Sequence, residues 1–159
     1  MTEKRGRIFA IQTGRLSKIV DAPIRYVYDW CTDFRSDDRK FSRHKQRHRV
    51  IRVSPQRLVR VKVVISGAEN PAMAVELVRL RPPNAWHKDT IGEEELDAID
   101  YQLTALSPNK TRVSLVMVER WLVPKFPKKA DWLRPSSKYW DELVAAIEER
   151  YRSGRPAKG

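Results

Sequence analysis

Ser17-Lys18-Ile19-Val20-Asp21-Ala22-Pro23-Ile24-Arg25-Tyr26-Val27-Tyr28-Asp29-Trp30-Cys31-Thr32-Asp33-Phe34 is the stretch that decides the fold. Its first residues close an apolar run, Leu16 to Val20 and extendable back to Ile8, that reads as a strand and stops at Asp21-Ala22-Pro23. Proline suits the first turn of a helix, where its missing N–H would have no partner anyway. Ile24, Val27, Tyr28 and Cys31 then recur at i, i+3, i+4 and i+7, the stripe of an amphipathic helix, and Phe34 closes it. Arg35 to His44 is polar except for Phe41 and reads as a second short helix or an irregular crossing.

Beyond Arg47 the apolar period becomes two. Val59, Val61, Val63 and Ile65 share one face of a strand, and Leu58, Arg60, Lys62 and Val64 share the other. Ser54-Pro55-Gln56-Arg57 separates two such runs as a hairpin turn. Met73 to Arg81 is the next strand, ended by Pro82-Pro83-Asn84, and Trp86 to Gly92 and Leu96 to Leu106 follow. Ser107-Pro108-Asn109-Lys110 turns the chain into a strand from Thr111 to Val123. Strands joined by short turns predict an antiparallel meander. Trp140, Leu143, Val144, Ile147 and Tyr151 then share one face of a helix from about Ser136 to Arg152, with Ser136 or Ser137 as its cap and Gly154 at its end. That face must lie against something, and the sheet is the available partner.

The 159 residues suit one domain, with 41% hydrophobic and 33% charged residues, which excludes collagen-like and low-complexity chains. No apolar run approaches the roughly 20 residues of a membrane-spanning helix. Lys and Arg number 32 against 20 acidic residues, a formal charge of +12 that attracts polyanions and also promotes solubility. The single Cys31 cannot form an internal disulfide, and the apolar run after the basic start is too short for a secretory signal, so a cytoplasmic location is expected.

The order of elements, one strand, two short helices, six antiparallel strands and a long C-terminal helix, resembles the START-like (SRPBCC) superfamily. That superfamily includes polyketide cyclase and dehydrase-like proteins and birch-pollen-allergen-like proteins. Ser17 to Pro23, then Val27-Tyr28 and Asp33-Phe34, is similar to its opening of strand, Ala-Pro, helix and Asp-Phe. The likeness of order runs from Leu16 to Arg152. It implies an α+β helix-grip fold, in which a curved antiparallel sheet of about seven strands wraps the C-terminal helix around an internal cavity. The expected organisation is a flexible segment 1–7, one START-like domain over 8–152 and a flexible tail 153–159. The resemblance carries no catalytic residue with it, because the superfamily shares no catalytic motif.

The leading expectation is binding of a small hydrophobic or amphipathic ligand (lipid-, polyketide- or aromatic-like) in that cavity. Candidate lining residues are Val59, Val61, Val63, Ile99, Tyr101, Leu103, Leu115, Met117, Glu119, Trp140, Val144 and Ile147. Glu119 shares parity with Leu115 and Met117, and Tyr101 with Ile99 and Leu103, so a carboxylate and a phenol would project into apolar space. They are the acid–base candidates for a cyclase or dehydratase alternative. A second alternative is a polyanion-binding or protein-interaction module using Arg39, Lys40, Arg43, Lys45, Arg47 and Arg49. A charge run more often marks a solvated face. His44 and His48 lie within that basic run, and His87 with Asp89 could orient an imidazole on one strand. The six glycines never take the spacing of a phosphate-binding loop and there is no Cys-x-x-Cys pair, so neither cofactor nor metal is expected.

Overall fold

A computed structural model describes residues 8–34, 45–65, 72–92, 96–123 and 129–158. Strand β1 (Ile8–Val20) leads into helix α1 (Ile24–Cys31). Six strands follow: β2 (Lys45–Ser54), β3 (Arg57–Ile65), β4 (Ala72–Arg81), β5 (Ala85–Gly92), β6 (Leu96–Ser107) and β7 (Lys110–Val123). Helix α2 (Lys129–Arg152) ends the fold. All neighbouring strands are antiparallel, in the order β1-β7-β6-β5-β4-β3-β2. The first strand therefore crosses to pair with the last, Ile8 opposite Val123 and Val20 opposite Thr111.

The opening folds as its residue pattern dictates. Pro23 is the N-cap of α1, and its carbonyl accepts the Val27 N–H at 3.0 Å. Val27 and Tyr28 form the buried side of the stripe. Thr32 closes the helix, its backbone N–H and its hydroxyl both donating to the Tyr28 carbonyl. The Thr111 hydroxyl donates to the Ala22 carbonyl at 2.8 Å, fixing the β1–α1 corner onto the start of β7. The expected second helix, within Arg35 to His44, lies outside the described residues.

Helix α2 departs from expectation at its start. It begins at Lys129 and carries Pro135 inside it, rather than beginning at Ser136. Pro135 forfeits one N–H bond, and it is exposed, so its ring meets no core. Ser137, expected as a cap, instead accepts a hydrogen bond from Lys18 Nζ at 2.9 Å, and the same ammonium pairs with Asp141. Glu148 takes the Asp21 backbone N–H at 2.9 Å, so β1 and its corner hold α2 at two levels. Between these ties, Trp140, Leu143 and Ile147 join Val20, Leu58, Val78, Trp86, Leu103, Val113 and Leu115 in one buried cluster. Part of the C-terminal tail lies along α1, where Tyr26 donates to the Arg155 carbonyl and Lys158 pairs with Asp29.

Ile147 is fully buried at the centre of this contact. Its side chain contributes about 1.5–3 kcal/mol by burial alone. An aspartate there would add an unpaired charge to an apolar site, among the costliest single changes a core can suffer. Ile147→Asp should lose cooperative thermal unfolding, whereas Ile147→Val should melt cooperatively with a loss of about 0.5–1.5 kcal/mol. A cooperatively melting Ile147→Asp protein would contradict this packing.

Candidate functional site

Strand register sorts every side chain to one of two sheet faces. The face packed on α2, here the inner face, carries Leu103, Leu115 and Met117 together with Leu58, Val78 and Trp86. Reading across the strands, Leu16 faces Leu115, Leu115 faces Tyr101, Tyr101 faces Trp86 and Trp86 faces Leu80. The Tyr101 and Trp86 rings stack with centroids 4.5 Å apart and planes inclined by 10°. Tyr28 of α1 meets Trp86 edge-on at 6.1 Å, and Trp140 of α2 tilts over Tyr101 at 6.0 Å. Four elements thus build one aromatic wall.

Two rungs away the same face is polar. Gln12 faces Glu119, Glu119 faces Asp97, Asp97 faces Thr90, Thr90 faces Glu76 and Glu76 faces Arg60. Glu76 is the centre of this row, with only 1% of its surface exposed. Its Oε2 accepts from Arg60 Nε at 2.5 Å, and its Oε1 is 3.3 Å from both Lys62 Nζ and Lys88 Nζ. Lys62 projects from the rung on one side of the row and Lys88 from the rung on the other. Phe34, in the left-handed backbone region at φ 45°, lies with its ring 5.6 Å from the Arg60 guanidinium. The segment that follows α1 therefore meets the polar row.

Thr90 Oγ1 and Asp97 Oδ1, both in this row, are buried and lack a hydrogen-bond partner among the described residues. Thr90 is fully buried. An unpaired buried polar atom costs about 1–3 kcal/mol, so such atoms mark places where water or a bound molecule completes the bonding.

The row's charges fix one another. Burial pushes the Glu76 carboxyl up, but Lys88, Arg60 and Lys62 outweigh it and hold the group far below the usual carboxylate range. Burial works against the Lys88 ammonium, yet Tyr101 once ionised, with Glu76 and Asp97, keeps it charged well above the ordinary lysine range. The Tyr101 phenol is pushed up to about 12, chiefly by burial, with Lys88 opposing and Glu76 and Asp97 assisting. At neutral pH the site thus presents fixed ammonium and carboxylate groups beside a neutral phenol.

The cavity candidates read from the sequence divide unevenly. Ile99, Tyr101, Leu103, Leu115, Met117, Trp140, Val144 and Ile147 all belong to or pack against the core under α2, and half-buried Glu119 takes its place in the polar row. Val59, Val61 and Val63 do not join them. Leu58 faces core Val78 and Arg60 faces Glu76, so the alternating valines fall on the outer face opposite Leu77, Val75 and Met73. Leu77 and Met73 are exposed there. The sequence reading thus missed Arg60, Lys62, Glu76, Lys88, Thr90 and Asp97. The available signal was opposite charge in mid-strand, Arg60 and Lys62 in one apolar run and Glu76 in the next.

The remaining candidates lie elsewhere. His87 sits on the outer face with Nε2 2.9 Å from Asp89 and Nδ1 2.7 Å from Asp100. Both ring nitrogens are occupied, which leaves none to serve a nucleophile. Arg39, Lys40 and Arg43 fall outside the described residues. Lys45 and Arg47 lie in edge strand β2 opposite Ile65 and Val63, and Arg49 is exposed in the same strand. Among the described residues no three His, Cys, Asp or Glu groups are placed to hold a metal ion, and no helix is long and apolar enough to cross a membrane.

The sequence matches no protein-family model and no curated protein. Solved structures do match. The ZhuI aromatase/cyclase from Streptomyces sp. R1128 superposes with a TM-score of 0.72 at 13% identity, covering 91% of this chain and 98% of its own. Ara h 8.0201 gives 0.68 at 9% identity, covering 87% and 98%, and TTHA0849 from Thermus thermophilus gives 0.62 at 15%, covering 90% and 99%. The chain shares the fold of these structures, the helix-grip arrangement of a seven-stranded antiparallel sheet and a C-terminal helix.

The depressed Glu76 pKa makes stability depend on pH with a defined sign. The carboxylate favours the fold above the unfolded-state value of roughly 4.3, and that contribution disappears as pH falls below it. Glu76→Gln leaves three cations around a neutral amide and should cost about 3–5 kcal/mol at neutral pH. The deficit relative to the parent should shrink toward acid pH, as seen by denaturant unfolding at pH 7 and pH 3. A pH-independent deficit would contradict an ionised Glu76 at the centre of the row.

Proposed function

We propose that the protein binds a small amphipathic molecule between the sheet and α2, with its apolar body on the aromatic wall and its polar end at the Glu76 row. The observation that carries this reading is the two-part character of one inner face. Trp86, Tyr101 and Trp140 form an apolar surface, and two rungs away lie charged groups and two buried oxygens that lack partners among the described residues. A face that served only to hold α2 would be more stable filled with aliphatic side chains, since a buried ionic cluster contributes little net stability. Apolar walls with a few convergent polar groups are the usual composition of a small-molecule site.

The matching structures, one of them an aromatase/cyclase, are consistent with a helix-grip interior that receives small molecules. Binding without chemistry is the reading favoured for this chain. The Tyr101 phenol is held neutral and Lys88 is held charged by its ion pair, so neither has the near-neutral pKa of an efficient general base. We propose a cytoplasmic location, which fits a chain whose one cysteine cannot form an internal disulfide.

The binding space can be filled from the sheet side. Leu103 is 1% exposed beneath α2, while Val61 lies on the outer face. Leu103→Trp, provided it still melts cooperatively, should lose most binding of a naphthalene-sulfonate or fluorescent fatty-acid probe, and Val61→Trp should retain it. Equal binding by both variants would place the probe outside the interior and overturn the reading.

A further inference from the structure

The polar row also specifies what kind of head group would complete it. Among the described residues, the row and the rungs flanking it hold three buried or half-buried carboxylates, Glu76, Asp97 and Glu119. Three cations, Arg60, Lys62 and Lys88, match them. Among the described residues the cluster's charges number three of each sign, so an arriving ion would add a further charge to a low-dielectric space. A neutral polar group avoids that cost and needs only hydrogen bonds.

The unfilled bonding capacity has a definite chemistry. Asp97 Oδ1 can only accept, while Thr90 Oγ1 can accept or donate. These residues are direct cross-strand partners on the inner face, which places their Cβ atoms about 4.5–5.5 Å apart. Lys88, whose charge Asp97 helps to hold, projects from the adjoining rung and has ammonium hydrogens beyond the one directed at Glu76. A group that fits between them donates a hydrogen to the carboxylate and accepts one from a hydroxyl or an ammonium. A hydroxyl does both. A carboxylate cannot donate to Asp97, and an alkylammonium, although it can donate to both oxygens, accepts nothing from Lys88 and adds a charge.

From this placement we infer that the ligand is an uncharged, hydroxyl-bearing amphiphile whose O–H donates to Asp97 beside Thr90, an inference that rests on the interior being the binding space. Its selectivity is against both fatty carboxylates and alkylamines of equal chain length. The discriminating force is a hydrogen bond to a charged acceptor, which corresponds to roughly tenfold in affinity.

The test uses four ten-carbon probes, decane, decanol, decanoate and decylamine, each displacing a fluorescent naphthalene probe from the full-length protein at neutral pH. Decanol should bind about tenfold more tightly than decane, and more tightly than either ion. Asp97→Ala should remove the preference, so that decanol binds no better than decane, and Thr90→Val should only weaken it. Thr90→Val keeps the side-chain volume and deletes an unpaired hydroxyl, so it should also melt no lower than the parent. Equal binding of all four probes, or tightest binding of decanoate or decylamine, would overturn the head-group assignment while leaving an interior site. A preference for decanol that survives Asp97→Ala would overturn it as well, by placing the hydroxyl elsewhere. Binding of none of the probes would instead overturn the reading of the interior as a ligand site.

Discussion

Three cations meeting one buried carboxylate organise the inner face of this protein. Glu76 is buried from bulk solvent, and its stability as an anion depends on Arg60, Lys62 and Lys88 arriving from two neighbouring strands. That requirement fixes the register of β3, β4 and β5. A one-residue slip would turn every one of these side chains to the other face and strand the charges. It also fixes which side of the sheet α2 covers, because Leu58 and Val78 share the face of Arg60 and Glu76 and pack into the α2 core.

The cluster and the helix divide the inner face between them. On the rungs occupied by Trp86, Tyr101, Leu103 and Leu115, the sheet offers aromatic and aliphatic surface that α1 and α2 seal. On the rungs of Glu76, Thr90, Asp97 and Glu119 it offers hydrogen-bonding groups. Buried polarity of this extent costs stability relative to an aliphatic core. The fold tolerates it because Lys18, Glu148 and Thr111 clamp the β1–α1 corner, α2 and β7 together away from the polar row. That cost is what supports the proposed small-molecule site.

The opening from Ser17 to Phe34 was legible because its signals are local: a strand ending at Ala-Pro, then a helical stripe whose buried side is Val27 and Tyr28. The turns at Pro55-Gln56 and Pro108-Asn109 were legible for the same reason. Helix α2 was read about seven residues short because a proline usually ends a helical pattern, whereas Pro135 sits exposed within it. The face of β3 was not legible from its own residues. Val59, Val61 and Val63 are more apolar than Leu58, Arg60 and Lys62, yet the charged set lies inside because its countercharge, Glu76, lies on another strand. Mid-strand charges that complement one another across a hairpin look like surface until the register pairs them. The exposed Ile51, Met73, Leu77 and Ile91 on the outer face deepen that ambiguity, since apolarity alone no longer distinguishes inside from outside.

The most direct measurement is a crystal structure of the full chain soaked with a bromine-labelled fatty alcohol, read through the anomalous signal of the bromine. The account predicts a bromine peak between α2 and the sheet, on the aromatic wall of Trp86, Tyr101 and Trp140, with the alcohol oxygen in density beside Thr90 and Asp97. Bromine peaks confined to the outer face, around Leu77 and Met73, would contradict it, as would an interior packed too tightly to admit the chain.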